Sequence, residues 1–142
     1  TTGQVYAFGA SSISQLDSAY IQNIKNASQY INSIEKNNLA VLRGYSVTIE
    51  QKIIREIINS IMCNYFVDLK KISKKYKVSI SDIYKIVKFK EDLLDDFISD
   101  GILNFKSGII AINEKGRLFT RNIAMRFDPM IDQKVGTYSN TV

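Results

Sequence analysis

The feature that most limits the possible folds is a run of three short amphipathic segments, each with its own start or stop signal. Asp68 is placed to cap the first segment, Ser79 or Ser81 to cap the second, and Gly101 to end the third. Apolar residues recur at helical spacing in all three. The sequence therefore predicts three successive helices: 69–76, a second one bearing Ile83, Ile86 and Val87, and 91–100.

Two apolar runs, 102–106 and 109–112, follow the third helix and are separated only by Ser107 and Gly108. Such a pair between two strands is typical of a tight hairpin turn. Asn113 is placed to cap a last helix. Three helices, a two-stranded wing and a final helix predict an α+β fold, mostly α, with a winged-helix-like domain.

A longer helix is predicted upstream, from Thr48 to about Asn64. Thr48 and Gln51 have the spacing of a capping box, and isoleucines at helical spacing form an apolar face. Before it, a short helix is expected within 20–36, and 37–44 is interpreted as a connector.

The chain opens with an apolar and aromatic run, Gln4–Phe8, that predicts a buried strand without a partner strand nearby in the sequence. A strand on its own leaves its backbone groups unsatisfied, so we expect this one to belong to a larger sheet outside the chain. A loop of small residues, 9–12, follows, and Ile13 to Gln15 complete it. Here the backbone can approach a ligand closely.

The residue types that are absent limit the chemistry. The 142 residues include no His and one Cys, Cys63, which excludes a Ser-His-Asp triad, a Cys-His pair and His-bound metal within the chain. One cysteine neither closes an internal disulfide nor holds an iron–sulfur cluster. Because Cys63 follows an apolar run on a predicted helix, we expect it to be a small buried side chain.

The general composition indicates a globular protein, with 45% apolar and 23% charged residues. No apolar run approaches the roughly 18 residues that span a bilayer, and no signal segment opens the chain. We therefore expect a soluble protein of the cytoplasm.

The net charge of +5 is unevenly distributed. Between residues 70 and 90 there are eight lysines and one acid, Asp82, and five acids follow between Glu91 and Asp100. Two interpretations remain open. The lysines form either a solvated face that pairs partly with the acids, or a site for a polyanion. The eight lysines are Lys70, Lys71, Lys74, Lys75, Lys77, Lys85, Lys88 and Lys90.

A DNA-binding helix-turn-helix over residues 69–87 is one form of the polyanion hypothesis. Its second helix would present five polar side chains to the bases, and lysines of the first would contact phosphates. That helix has no Arg, Asn or Gln, the side chains that read guanine and adenine bidentately. The residues concerned are Ser81, Asp82, Tyr84, Lys85 and Lys88 for bases, and Lys70, Lys74 and Lys75 for phosphates.

Three parts of the chain carry longer patterns: 6–15 (Tyr-Ala-Phe-Gly-Ala-Ser-Ser-Ile-Ser-Gln), 42–48 with 61–66, and 100–103 with 116–128. The last, which starts Gly-Arg and continues to Arg-Asn-Ile-Ala-Met and Phe-Asp, is the most specific. Together they resemble the C-terminal region of the oxygen-independent coproporphyrinogen III oxidase (dehydrogenase) family. These are radical S-adenosylmethionine enzymes of haem biosynthesis.

This resemblance implies that the chain is the final third of such an enzyme, without its N-terminal barrel. The first strand and loop would then be the end of the barrel, and the ending 138–142 the natural C-terminus. The implied divisions are 1–19, last barrel strand and active-site loop; 20–48, helix and connector; 49–128, winged-helix-like domain; and 129–142, tail.

The resemblance also implies the activity. The whole enzyme would use S-adenosylmethionine and a 4Fe-4S cluster to decarboxylate two propionates of coproporphyrinogen III to vinyl groups, giving protoporphyrinogen IX. Ile13 matches the loop residue that contacts S-adenosylmethionine; the alternative is that it only anchors the loop. Arg121 and Arg126 are candidates for binding the acidic substrate, and the alternative for Arg121 is that it ties the last helix to the barrel. The chain alone is expected to be inactive, to bind no cofactor and no specific nucleic acid, to cover substrate or contact the barrel, and to self-associate through its first strand.

Overall fold

The computed structural model describes residues 3–131. The polar tail predicted from Asp132 onward lies outside the described residues. The chain divides into two compact units, the first ending at Lys52 and the second beginning at Ile53.

The first unit is built on a three-stranded antiparallel sheet in the order β1-β2-β3, with one helix between the second and third strands. Asn26 caps that helix, since its side chain accepts a hydrogen bond from the Gln29 backbone N–H at 3.0 Å. The elements are β1 (Ile13–Gln15), β2 (Ala19–Asn23), α1 (Ala27–Glu35) and β3 (Val41–Ser46).

The short helix expected within 20–36 is present as α1, although residues 20–23 belong to β2, which pairs with strands on both sides. The expected connector 37–44 was wrong, because this stretch contains most of β3. Neither strand was predicted, since both are stabilised by partners distant in sequence; Ala19, for example, lies opposite Ser46.

The opening segment Gln4–Phe8 is not a buried strand. Only Val5 makes a β-bridge, and its partner is Gln15, which is near in sequence; both bridging N–H···O distances are 2.8 Å. The side chain of Phe8 is 87% exposed. The loop predicted through Gln15 ends sooner than expected, because Ile13 already starts β1.

Helix α2 (Ile49–Asn64) starts in the first unit and continues into the second. Its capping box is confirmed: the Gln51 backbone N–H donates to Thr48 Oγ1 at 3.2 Å, and the Thr48 N–H donates to Gln51 Oε1 at 3.0 Å.

The second unit contains short helices and a second three-stranded antiparallel sheet, in the order β4-β6-β5. The predicted third and last helices each begin with a 3₁₀ turn, over Glu91–Leu94 and Lys115–Phe119. The other elements are β4 (Phe66–Asp68), α3 (Leu69–Tyr76), α4 (Ile80–Ile86), α5 (Asp95–Ser99), β5 (Leu103–Lys106), β6 (Ile109–Ile112) and α6 (Thr120–Met125).

Local signals in this unit are confirmed. The Asp68 side chain accepts from the first backbone N–H groups of α3, and Ser79 from that of Asp82 in α4. In the hairpin, Ser107 has φ +53° and Gly108 +80°, as a type I′ turn requires. β4, which pairs with β6, was not predicted.

The core of the second unit is one apolar cluster that includes three fully buried isoleucines of α2. The ring of Phe127 stacks on that of Phe89, with centroids 4.6 Å apart. Within the described residues no helix is long and apolar enough to cross a membrane. The three isoleucines are Ile53, Ile57 and Ile61.

Candidate functional site

The loop of small residues that precedes β1 is held by the side chain of Asn23. Its amide nitrogen donates to the Gly9 carbonyl at 3.0 Å, to Ser12 Oγ at 3.1 Å and to the Ala7 carbonyl at 3.3 Å. The Ser12 hydroxyl itself donates to the Gly9 carbonyl at 2.7 Å. The loop therefore has a defined conformation directly before Ile13.

One face of the first sheet carries two rows of side chains, because alternate residues of a strand point to the same side. In the first row, Ile13 of β1 lies opposite Gln22 of β2, which lies opposite Arg43 of β3. In the second row, Gln15, Tyr20 and Tyr45 follow one another in the same way. A concavity of about 330 Å³ lies here, lined by Ile13, Tyr20, Gln22, Arg43, Gly44 and Tyr45.

The polar groups of this face are fixed by hydrogen bonds. Arg43 Nε donates to Gln22 Oε1 at 2.9 Å, and the Tyr45 hydroxyl accepts from Gln51 Nε2 at 2.6 Å. Ile13 is 54% exposed. The face thus offers an apolar surface together with a positioned guanidinium, a combination suited to a ligand with an apolar body and an anionic group.

A second concavity, of about 410 Å³, lies in the second unit and includes Arg126. The guanidinium of Arg126 lies 5.6 Å from the centroid of the Phe97 ring. The carboxylates of Asp96, Asp100 and Asp128 line the same cleft and outnumber its two cationic groups, Lys88 and Arg126. An anionic ligand would be repelled by these carboxylates, so the cleft is less suited to an acidic substrate than Arg126 alone suggests.

The predicted site residues belong to different units. Ile13 lies in the first unit, whereas Arg121 and Arg126 lie in the second. Arg121 is exposed on α6 and is not among the residues that line the Arg126 cleft.

All eight lysines between residues 70 and 90 are exposed. Lys75 Nζ forms an ion pair with Glu56 Oε2 at 2.6 Å, and Lys85 Nζ lies 3.7 Å from Asp82 Oδ1. The lysines are therefore solvated, as one interpretation expects, but these two ion pairs use Glu56 and Asp82 rather than the acids between Glu91 and Asp100.

A DNA-binding helix would present polar side chains to the bases. Here several of these side chains form hydrogen bonds within the protein. Ser79 Oγ donates to Asp82 Oδ2 at 2.6 Å and lies 2.7 Å from Ser81 Oγ. The Ser79 hydrogen bonds hold the pKa of Asp82 below its usual value. The pKa of Tyr84 is raised, mainly because its hydroxyl is partly buried and secondly because it is hydrogen-bonded to Glu91.

Cys63 is exposed, and the expectation that it is buried was wrong. Its position on α2 explains this, because Ile61 is buried and a residue two positions further along a helix lies about 200° around the axis. In the described part of the chain no cluster of three or more His, Cys, Asp or Glu side chains is placed to hold a metal ion.

Sequence reasoning missed the residues opposite Ile13. The alternation Leu42-Arg43-Gly44-Tyr45 was the available signal, since Arg43 and Tyr45 share a face in a strand. Asn23 carries no such signal, because its contacts depend on how the loop returns to β2.

The chain is similar to known proteins in sequence and in fold. No family model matches. The oxygen-independent coproporphyrinogen III oxidase of Escherichia coli is 34% identical over 128 residues, 89% of this chain and 27% of that protein. The oxidase of the same name from Thermostichus vulcanus is 30% identical, over 99% of this chain and 43% of that protein.

A solved structure gives the same result. The coproporphyrinogen III oxidase from Escherichia coli, described as a radical SAM enzyme, superimposes with a TM-score of 0.74 and 30% identity, over 90% of this chain and 29% of that one. The chain therefore spans less than half the length of these relatives and matches their C-terminal part.

Proposed function

We propose that this chain, which is similar over most of its length to the C-terminal part of oxygen-independent coproporphyrinogen III oxidases, serves as that part of such an enzyme. The observation that carries the proposal is the agreement of sequence and fold over the same residues: 34% identity over 89% of the chain and a TM-score of 0.74 over 90%. Chance similarity of a small fold would not produce both.

The activity proposed for the whole protein is oxidative decarboxylation of two propionates of coproporphyrinogen III to vinyl groups. When bound, S-adenosylmethionine and a 4Fe-4S cluster would supply the radical that removes hydrogen from a propionate side chain. The chain has one cysteine, so the cluster ligands would come from the N-terminal barrel that we propose as the partner of this chain.

Ile13 is the residue that we propose for contact with S-adenosylmethionine. Its exposed side chain and its position after a hydrogen-bonded loop fit a contact with an apolar part of that cofactor. In this role Ile13 would exclude water and orient the ligand, with no proton to transfer.

We propose that the second unit is a winged helix, because α2, β4, α3, α4, β5 and β6 occur in the order of that fold, with the 3₁₀ turn Glu91–Leu94 and α5 inserted between α4 and β5. The divisions 1–19, 20–48, 49–128 and 129–142 remain the proposed domain organisation. The role of the chain in the whole enzyme would be to cover the substrate or to contact the barrel. It would bind no specific nucleic acid.

Arg121 and Arg126 remain proposed substrate contacts, since an arginine fork suits a carboxylate. Of the two, Arg121 is the better candidate because three aspartates line the cleft of Arg126.

Exposed apolar side chains in the first unit support contact with another part of a longer protein. The same side chains would promote self-association of the chain on its own, measurable as a concentration-dependent mass in light scattering. The exposed apolar side chains nearest the start of the chain are Val5, Tyr6 and Phe8.

We propose the cytoplasm as the location of the protein.

The test is anaerobic reconstitution of a protein that joins this chain to the N-terminal part its relatives have. We expect coproporphyrinogen III to be converted to protoporphyrinogen IX only when S-adenosylmethionine and a reductant are present. The 142-residue chain treated identically serves as the control and should acquire no cluster absorbance. A joined protein that forms a cluster but converts no substrate would contradict the proposal.

A further inference from the structure

We propose that Arg43, fixed by Gln22, is the carboxylate-binding group of the sheet face that also carries Ile13. The inference rests on the proposed function, because the enzyme's two small molecules both carry carboxylates: the propionates of the tetrapyrrole and the methionine carboxylate of S-adenosylmethionine. No residue of β3 was identified from the sequence as a ligand contact.

Arg43 lies on the same face of the sheet as Ile13. Ile13, Gln22 and Arg43 form one row across three adjacent strands. Directly opposed side chains in such a sheet have Cβ atoms about 5 Å apart, so Arg43 lies about 10 Å from Ile13 on the same face. A ligand that contacts Ile13 with its apolar part therefore reaches Arg43 with a side chain of a few bonds.

The guanidinium of Arg43 is held at one nitrogen, Nε. Among the described residues, the bond from Arg43 Nε to Gln22 Oε1 is the only hydrogen bond of the Arg43 side chain, and it takes part in no ion pair there. Gln22 thus holds the head group by Nε and leaves the two terminal nitrogens to donate in parallel to a carboxylate.

The described residues around Arg43 carry no negative charge. The concavity around Arg43 is lined by Ile13, Tyr20, Gln22, Gly44 and Tyr45, none of which is acidic. Arg126 is the opposite case, since three aspartates line its cleft. A carboxylate therefore meets an attractive charge at Arg43 without a competing negative charge from the lining residues.

The experiment compares Arg43→Gln and Arg43→Lys in the joined, reconstituted protein, with Lys25→Gln as the matched control. Lys25 is exposed in the same unit and lines no part of the concavity. A hydrogen-bonded charge pair corresponds to about a 10- to 100-fold change in affinity. We expect Arg43→Gln to weaken binding by this factor with little change in kcat, Arg43→Lys to restore part of it, and Lys25→Gln to behave as wild type.

Two measurements identify the source of the carboxylate. An increase in KM for coproporphyrinogen III, with the Kd of S-adenosylmethionine unchanged, assigns Arg43 to a propionate. An increase in that Kd alone assigns it to the cofactor. If both constants stay within about twofold of wild type in a variant that melts normally, the subsite is wrong even though the enzyme works.

A separate measurement distinguishes failure of the subsite from failure of the proposed function. Coproporphyrin III and its tetramethyl ester are titrated into the same protein and followed by porphyrin fluorescence. We expect the acid to bind wild type about tenfold more tightly than the ester and Arg43→Gln to lose this preference. If wild type shows no preference for the acid, or binds neither, Arg43 does not bind a propionate whether or not turnover is observed; the subsite then stands only if Arg43→Gln raises the Kd of S-adenosylmethionine, and is overturned otherwise.

Discussion

Asn23 and Ser12 are joined twice: the backbone N–H of Asn23 donates to the Ser12 carbonyl at 2.9 Å, and the Asn23 side chain donates to Ser12 Oγ at 3.1 Å. One residue of β2 thus controls both the backbone and the side chain of the loop before β1. The pair lies directly before Ile13, whose side chain is exposed.

Replacing Asn23 by Ala should loosen the loop, because the Gly9 and Ala7 carbonyls lose a side-chain donor. We expect a loss of about 1–3 kcal/mol in local stability. Amide hydrogen exchange at Ser11, whose N–H donates to the Ile24 carbonyl, is the measurement. Asn32→Ala, on the exposed side of α1, is the control, and equal exchange in both variants would contradict the assignment.

Gly116→Ala should destabilise the second unit. An added Cβ would collide with the Ile102 carbonyl oxygen and lie 2.7 Å from Ile112 Cγ2. Overpacking of this kind costs about 1–3 kcal/mol. Urea denaturation gives the value, with Gly3→Ala as control because nothing lies within 4 Å of a Cβ there. A midpoint equal to that of wild type would show that the backbone around Gly116 yields easily.

Asp82 should make the stability of the second unit depend on pH at the acid end. Hydrogen bonds from Ser79 hold its folded-state pKa below the usual 3.8. A lowered folded-state pKa means that the stabilisation is fully present above about pH 3.8 and is lost as the pH falls through the lowered value. Melting temperatures of wild type and Asp82→Asn should therefore differ at about pH 7, and the difference should shrink as the pH falls below 3.8. A difference that stays constant with pH would exclude this titration.

Cys63 should react with a thiol reagent in the folded protein, because its side chain is exposed. We expect the native and the urea-unfolded chain to be labelled at rates within about tenfold of each other. Cys63→Ser should change the free energy of unfolding by no more than about 0.5 kcal/mol. A native thiol protected by several orders of magnitude would mean that it is covered, for instance by association of two chains.

The second unit was the more predictable of the two, because its signals are local. Asp68, Ser79 and Ser107-Gly108 act within four residues of themselves, and each does what its type suggests. In the first unit, the structure depends on pairings such as Ala19 with Ser46, and no window of sequence contains both strands. The short strand β4 was missed for the same reason, since its partner β6 lies more than forty residues later.

The candidate site shows the same limit. Ile13 was identified through resemblance, but its neighbours Gln22 and Arg43 follow from the register of three strands. A shift of one residue would move Arg43 to the other face, so its role is visible only once the pairing is known.

Helix α2 has a consequence for how the protein is made on the ribosome. Its capping box is complete once Gln51 has emerged, but its buried isoleucines belong to a core that also includes Ile123 and Phe127. Until the chain has been translated as far as Phe127, a helix can begin to form with its apolar stripe bare. That interval is when a nascent-chain chaperone has a surface to bind, and a translational pause before Phe127 would lengthen it.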